Sequence, residues 1–195
     1  MDQLRRLGLQ DRWIYEVLVS TFRHDTPHAA PIGVWTSGAD ELLMDVYDGS
    51  QTLANILEGG HFVVNFPVDA EMLYAALRAP EQLAFAEARL VHAPIVEGCT
   101  ATVELTLSSA ITSGDRVRIV GDVKRVHHAG APRLINRAEG LLLESLVLAT
   151  RLERREAADV LAALTENHRI VRKVAPGSAY DSAMTALLRD LRLPS

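Results

Sequence analysis

The order of the strand-like and helix-like segments is the sequence feature that most constrains the fold. Strand-like segments come in a run, at Trp13–Phe22, His28–Thr36, Glu41–Tyr47, His61–Phe66, Thr100–Ser109 and Asp115–His127. A short amphipathic helix at Ser50–Leu57 follows the third of them, and Asp69 is placed to cap a second helix after the fourth. Strands that follow one another in this way form antiparallel sheets. The order therefore predicts an α+β fold, an antiparallel barrel of about six strands with an inserted helix.

The sequence pattern changes after Gly130-Ala131-Pro132. From there apolar residues recur at three- and four-residue spacing, which predicts helices at Arg133–Leu152, Arg155–Asn167 and Tyr180–Leu193. We therefore divide the chain into a barrel domain, residues 10–132, and a helical C-terminal extension, residues 133–195. The extension is expected to pack on the barrel or on a dimer partner.

Two residues interrupt the predicted strands. Pro31 lies inside the second strand, and proline has no N–H to give to a sheet. That strand should therefore be at an edge, or bulged at Pro31 so that it faces something other than a neighbouring strand. Gly121 lies inside the last strand and is expected to mark a bulge.

Composition excludes several classes of function. The net charge of −5 provides no overall basic field for nucleic acid or an anionic membrane. Cys99 is the single cysteine, which excludes an intramolecular disulfide and a cysteine-cluster zinc site and suits a reducing cytosol. The adjacent His127 and His128 point to opposite faces of a strand and cannot chelate one ion together. With no apolar run near about 18 residues, we expect a cytoplasmic protein that uses no metal, membrane or nucleic acid.

The segment Tyr47–Asn55 carries the strongest chemical signal. It joins a strand end to a helix start, where free N–H groups and the helix dipole favour a phosphate. Ser50 and Thr52 add hydroxyl groups in the same turn, and Asn55 adds an amide one turn later. Two interpretations stay open at this point: an anion site, or a Ser50 that only caps the helix with Asn55 as a polar surface residue. Asp48 speaks against an anion site if its carboxylate points inward.

Three blocks of the sequence resemble a known group of proteins. They are Thr21–Gly33, which contains D-T-P-x-A-A-P-x-G, then Tyr47–Asn55, with Y-x-G-S-x-T-x-x-N, and Asn136–Leu152. Together with Phe62–Phe66 they resemble the FMN-binding split-barrel, flavin-reductase-like superfamily, in an uncharacterised branch of it. The resemblance covers roughly residues 13–155 and implies a split barrel that binds FMN, as a homodimer with the flavin site at the two-fold interface.

The resemblance also implies which residues bind the cofactor. Ser50, Thr52 and Asn55 would hold the 5′-phosphate, and Ala30, Pro31, Ile32 and Gly33 would lie along the isoalloxazine ring. Tyr47 would flank the ribityl chain, or else be an ordinary strand-end aromatic. Arg151 would approach the flavin from either subunit, or else pair with a glutamate on a helix surface. His28 lies near the flavin strand as a possible proton donor.

The implied activity is that of an oxidoreductase, in which bound FMN takes part in hydride or electron transfer from NAD(P)H or another small-molecule donor. The sequence assigns no catalytic residue, and neither a G-x-G-x-x-G nor a P-loop motif occurs. The alternative is a non-catalytic FMN-binding carrier or redox sensor, with a possible link to pterin-dependent one-carbon metabolism. An activity like that of pyridoxamine-phosphate oxidase is a third possibility, because that related fold uses the same FMN site.

Overall fold

The computed structural model describes residues 3–37, 40–128, 130–150 and 157–192. The chain forms two compact units. The first unit contains the N-terminal residues up to Asp11 and the long stretch Tyr15–Ile135, and the second contains Arg12–Ile14 together with the chain from Asn136 onward.

The first unit contains all eight strands found among the described residues. A short helix α1 (Gln3–Arg6) precedes them. The strands are β1 (Tyr15–Arg23), β2 (Thr26–Trp35), β3 (Glu41–Tyr47), β4 (His61–Phe66), β5 (Phe85–Glu87), β6 (Pro94–Val96), β7 (Ala101–Ser113) and β8 (Arg116–His128). Helix α2 (Gln51–Gly59) follows β3, and helix α3 (Ala70–Arg78) and a 3-10 turn (Pro80–Gln82) follow β4.

Six of these strands close into a barrel in the order β1-β2-β3-β8-β7-β4, and every pairing is antiparallel. The predicted α+β fold with an antiparallel barrel is therefore confirmed. The predicted bounds of β3 and β4 match those in the structure. The strand predicted to end at Ser109 continues to Ser113, so the four-residue connection expected at residues 111–114 was too long.

The hairpin between β1 and β2 turns at His24 and Asp25. Arg23 pairs with Thr26, which leaves two residues in the turn. Both have positive φ, 45° at His24 and 63° at Asp25. Two-residue hairpins of this kind suit the right-handed twist of the strands they join. The turn sets the register that brings Thr21 opposite His28.

The barrel is weakly joined between β2 and β3. Only Val34 and Trp35 of β2 pair with β3, whereas β2 pairs with β1 from Thr26 to Val34. From Thr26 to Gly33, no described strand pairs with the edge of β2 that faces away from β1. We call this edge the split edge. Pro31 lies on it, as expected for a residue with no N–H to donate.

Helix α2 contacts β1, β2, β3 and β7, so it lies across one end of the barrel. Ser50 caps its N-terminus, and Gly60 ends it in the left-handed conformation typical of a C-cap. Leu53 and Ile56 are buried, as their spacing predicted. Leu57 was expected on the same apolar face but is 52% exposed. The face of α2 that is turned to the barrel includes the polar Thr52 and Asn55, and Leu57 lies outside it.

The two-stranded sheet of β5 and β6 was not predicted from the sequence. Buried Asn65 fixes β6 to the barrel: its Oδ1 accepts from Val96 N at 2.9 Å, and its Nδ2 donates to Leu18 O at 3.0 Å. Between β5 and β6, Leu90 N donates to the carboxylate of Glu104 at 2.6 Å. Glu104 is 1% exposed and also forms an ion pair with Arg125 at 3.1 Å. The hairpin is thus held to the barrel by buried polar groups.

Gly121 is required for packing inside the barrel. A Cβ at this position would meet the ring of Phe62 and would lie 2.9 Å from Cδ2 of Leu105. The bulge expected at Gly121 lies on the opposite strand, where the register shifts between Leu107 and Ser109. Packing in the barrel interior therefore leaves no room for a side chain at this position, a requirement that only glycine satisfies.

The second unit consists of α4 (Arg137–Ala149), α5 (Ala157–Val174) and α6 (Ala179–Arg192). Helix α4 begins four residues later than predicted, because Asn136 caps it through Ala138 N at 2.8 Å. Helix α5 was predicted to end at Asn167 but continues to Val174, whose side chain belongs to the core of this unit. None of the described helices is long and apolar enough to span a membrane.

The packing at Gly121 leads to the first prediction. Gly121→Ala should lower the free energy of unfolding by about 1–3 kcal/mol, the usual cost of forcing extra volume into a packed core. Urea denaturation of the full-length wild-type and variant proteins measures this change in the free energy of unfolding. Gly59→Ala is the matched control, because a Cβ there meets nothing within 4 Å. A loss at Gly121 no larger than that at Gly59 would contradict the packing argument.

The buried carboxylate of Glu104 leads to the second prediction. Burial alone would raise its pKa, but hydrogen bonds from Leu90 N and Arg125 outweigh burial and lower it. Glu104 therefore contributes stability above the unfolded-state pKa of about 4.3, and this contribution is lost as the pH falls through the lower folded-state value. Glu104→Gln should lower stability at pH 7 by about 1–3 kcal/mol. The difference between the two proteins should shrink towards pH 3, as measured by denaturation at several pH values; a difference independent of pH would refute this account.

Candidate functional site

Ser50 begins the site at the N-terminus of α2. Its Oγ accepts from Leu53 N at 3.3 Å, so the side chain acts as the N-cap. Ala54 N donates to Ser50 O at 3.1 Å, which is the first hydrogen bond of the helix. The amides of Gln51 and Thr52 precede that bond and lie at the positive end of the helix dipole. Capping by Ser50 and an anion-attracting helix end are therefore both present.

Asp48 and Gly49 form the turn that leads into α2. The Asp48 side chain is exposed, and its Oδ1 accepts from Gly49 N at 2.9 Å. Gly49 has a φ of 74°, a conformation that glycine adopts without strain. The carboxylate thus bonds to its own turn, which answers the concern that Asp48 points inward.

Thr52 and Asn55 face the barrel, and each is 3% exposed. Asn55 Nδ2 donates to Oγ1 of the fully buried Thr21 at 2.8 Å. Gln51 Nε2 donates to Asn55 Oδ1 at 2.6 Å. The interpretation of Asn55 as a polar surface residue is therefore wrong. Its amide ties the first turns of α2 to β1.

His28 completes this polar cluster from β2. Its Nε2 lies 3.1 Å from Oγ1 of Thr52, and its ring is half-buried. Because His28 pairs with Thr21 across the hairpin, Thr52 and Asn55 contact two residues that are themselves neighbours. Burial lowers the pKa of His28, and the positive charge of Arg23 lowers it further. The imidazole is thus biased towards its neutral form at pH 7.

The segment Ala30–Gly33 continues β2 from His28 along the split edge. All four residues are half-buried. Ala30, Pro31 and Gly33 have small or compact side chains, so a flat ligand can approach the backbone of this strand closely. The structure thus places the four residues predicted to line the ring on one strand with His28, next to an edge without a partner strand.

Tyr47 lies at the end of β3 and is 57% exposed. The guanidinium of Arg116 stacks over its ring, 4.3 Å from the centroid, and donates to its hydroxyl at 2.7 Å. The sequence analysis did not connect Arg116 to this segment. The register of β3 and β8 pairs the two residues, and only a correct strand pairing could have identified the contact.

The predicted cofactor-binding residues thus fall into three groups. Ser50, Thr52 and Asn55 lie together at the start of α2, and Ala30–Gly33 lie along the split edge. The side chain of Tyr47 is exposed at the end of β3 and contacts Arg116, while its carbonyl accepts from Ser50 N at 3.2 Å. Arg151 lies outside the described residues. The contacts of Thr21 and Gln51 with Asn55 were not predicted from the sequence, although Thr21 begins the block Thr21–Gly33.

Two cavities adjoin the β1–β2 turn. The larger, about 460 Å³, lies between this turn and the β5–β6 hairpin and is lined by residues that include Phe22, Phe85 and His92. Its volume is in the range of small-molecule sites. The smaller, about 170 Å³, shares Phe22 and His92 with it and extends to Asn55. The cavity of ligand size thus lies at the β1–β2 turn, and of these two cavities the smaller one is lined by a residue of the polar cluster, Asn55.

Other reactive groups of the described residues offer little chemistry. Burial raises the pKa of the Cys99 thiol to about 12, so it stays protonated and unreactive at neutral pH. Within the described ranges, no three or more histidine, cysteine or acidic side chains are grouped to hold a metal ion.

Comparison with known proteins places this site in a family. The family described as "Protein of unknown function (DUF447) N-terminal domain" matches residues 15–128, which is the barrel from β1 to β8. An uncharacterized protein of Methanocaldococcus jannaschii is 24% identical over 192 residues, covering 92% of this chain and 99% of that protein.

Solved structures extend the comparison to the fold. The crystal structure of an FMN-bound DUF447 protein from Methanosarcina mazei has a TM-score of 0.57 at 20% identity, and the match covers 97% of this chain and 100% of that one. A flavoredoxin from Methanosarcina acetivorans has a TM-score of 0.55 at 19% identity, over 63% of this chain and 80% of that one. The predicted split-barrel, flavin-reductase-like fold is confirmed by these likenesses.

The buried pair of Asn55 and Thr21 leads to the third prediction. Asn55→Ala should lower the free energy of unfolding by about 1–3 kcal/mol, because it leaves the Thr21 hydroxyl without its donor. Thr21→Val should have a similar effect by removing the acceptor. The double variant should cost less than the sum of the two, since both changes break one bond. Strictly additive losses in denaturant titrations would show that the bond contributes nothing.

Proposed function

The chain belongs to the DUF447 family, and from this membership and the geometry of its site we propose that it binds FMN. The observation that carries the proposal is the split edge of β2 lying next to a polar cluster at the N-terminus of α2. The split edge offers a strip for a flat ring, and the cluster offers donors for a phosphate. The FMN-bound relative from Methanosarcina mazei has the same fold, which supports FMN over other ligands with a ring and a phosphate.

The donors at α2 fit a phosphate. The first-turn amides of Gln51 and Thr52, the hydroxyls of Ser50 and Thr52 and the amide of Asn55 would hold it, with the helix dipole favouring its negative charge. Asp48 does not oppose this, because its carboxylate is engaged in its own turn. The backbone and side chains of Ala30–Gly33 would line the ring, and Tyr47 would flank the chain between ring and phosphate.

We propose that the protein is an FMN-dependent oxidoreductase. Bound FMN supplies the hydride and electron transfer that no side chain provides. The residues of this chain would bind the cofactor and orient it along the split edge. The 460 Å³ cavity beside the β1–β2 turn has the volume for a small electron donor or acceptor.

A non-catalytic FMN carrier or redox sensor is the second candidate. It is favoured by the composition of the site: apart from His28, the residues assigned to the cofactor at β2 and α2 have no side chain that titrates near pH 7. The likeness to a flavoredoxin also suits this role. The two candidates share the binding site and differ in whether a soluble donor reduces the flavin.

The proposal includes a homodimer with the site at the interface and a location in the cytoplasm. Tyr47 and Leu57, at the two ends of the segment that forms the site, are more than half exposed, and a partner subunit would cover them. The single cysteine, Cys99, is a free thiol, as suits a reducing compartment. Light scattering of the purified protein would give twice the chain mass if the dimer exists.

The fourth prediction tests the cofactor. Purified protein, stripped of flavin and titrated with FMN, should bind it with a shift of the flavin absorption bands. Protein that takes up no FMN, either during expression or in the titration, would contradict the proposal. Anaerobic mixing of the loaded protein with NADH or NADPH then separates the two candidates. Bleaching of the flavin band supports the oxidoreductase, and a band that persists with both donors supports the carrier.

A further inference from the structure

Exposure distinguishes the polar side chains that meet at α2. Thr21 is fully buried, and Thr52 and Asn55 are each 3% exposed. The imidazole of His28 is only half-buried. Of these four residues, His28 therefore has the most accessible side chain, and it lies on β2, the strand that carries the split edge.

The hydrogen bonding of His28 leaves one ring nitrogen available. Nε2 is engaged with Oγ1 of Thr52 at 3.1 Å. Nδ1 has no hydrogen bond to any part of the chain that the structure describes. A neutral imidazole has one N–H hydrogen, on either Nδ1 or Nε2. If the Thr52 hydroxyl donates to Nε2, that hydrogen is on Nδ1, where it can be donated to an anion.

The charges around His28 suit an anion as well. Arg23 on β1 is near enough for its positive charge to lower the pKa of the ring. The N-terminal turn of α2, which carries Thr52, adds the positive end of a helix dipole. A phosphate placed against His28 would be attracted by the charge of Arg23 and by the helix dipole. The same two groups would repel a cation at this position.

We infer that His28 adds a direct side-chain contact to the phosphate of the ligand, and that Thr52 is a positioning residue behind it, holding the ring and its tautomer. This inference rests on the proposed binding of FMN. It names His28 as a residue by which the site distinguishes FMN from a flavin without a phosphate. It moves the direct contact from the buried hydroxyl of Thr52 to the accessible ring of His28. Thr52 then acts on the ligand only through His28.

The experiment compares FMN with riboflavin, which has the same ring and no phosphate. His28→Phe keeps a planar ring but removes both nitrogens, and should weaken FMN at least about tenfold, as expected for a lost hydrogen bond to a charged group. Riboflavin affinity should change less than twofold. His28→Asn places an amide nitrogen near the position of Nδ1 and should recover most of the loss, whereas His28→Gln, which extends towards Nε2, should not.

The role of Thr52 is tested by a double-variant cycle. Thr52→Val removes the hydroxyl with little change of shape and should also weaken FMN, and Thr52→Ser should restore affinity. Combined with His28→Phe, Thr52→Val should cost nothing further, because it acts through the missing imidazole. Two direct contacts would give additive losses and would overturn the inference. His127→Phe, an exposed histidine on β8, is the matched control.

The outcomes also separate this inference from the proposed function. If the wild-type protein binds neither flavin, both fall together. If it binds FMN and His28→Phe leaves the ratio of FMN to riboflavin affinity unchanged, the inference alone falls. Circular dichroism of each variant shows whether a loss of affinity reflects unfolding, and a folded His28→Phe protein with an unaltered ratio is the decisive contrary result.

Discussion

The incomplete pairing between β2 and β3 is the constraint on which the rest of the site depends. The strands β1 and β4 pair over three residues and the other ladders over six or more, but β2 meets β3 through only two residue pairs. An unpaired strand edge normally invites aggregation, and proteins protect such edges with proline, charge or a covering element. Here Pro27 and Pro31 both lie on the split edge, and neither has an N–H to donate. The same feature that protects the edge leaves a strip of small side chains open to a flat ligand.

Helix α2 supplies the polar groups that lie next to the split edge. It is held in place by polar contacts as well as by burial of Leu53 and Ile56. Asn55 bonds to Thr21 on β1, and Thr52 bonds to His28 on β2. Since Thr21 and His28 are paired, the helix start and the β1–β2 hairpin form one hydrogen-bonded network. Buried networks of this kind fix geometry when every member is satisfied. The anion-attracting end of α2 is thereby held at a fixed place relative to the split edge.

Much of this could be predicted from the sequence, where the signal was local. The predicted bounds of β3 and β4 were correct, and Pro31 indicated the unpaired edge. The strands β5 and β6 have three residues each, too few to show a period, and their position depends on the distant Asn65. Helix α5 extends past Asn167 because Val171 and Val174 pack in the core of the second unit. The contacts of His28 with Thr52, and of Arg116 with Tyr47, join residues far apart in sequence, so no local pattern could indicate them.

The composition of the split edge determines which groups of β2 could contact a bound ring. Ala30, Pro31, Ile32 and Gly33 have no polar side-chain atoms, so polar contact from this strand can come only from its backbone. Backbone dipoles are fixed in direction and do not titrate, so their effect on a ring would not change with pH. The titratable group of the network, His28, is tied to Thr52 at the end of the strand that adjoins α2. In the FMN site that we propose, a change of pH would therefore act through His28 near the phosphate, whereas the side chains of Ala30–Gly33 add no titrating group beside the ring.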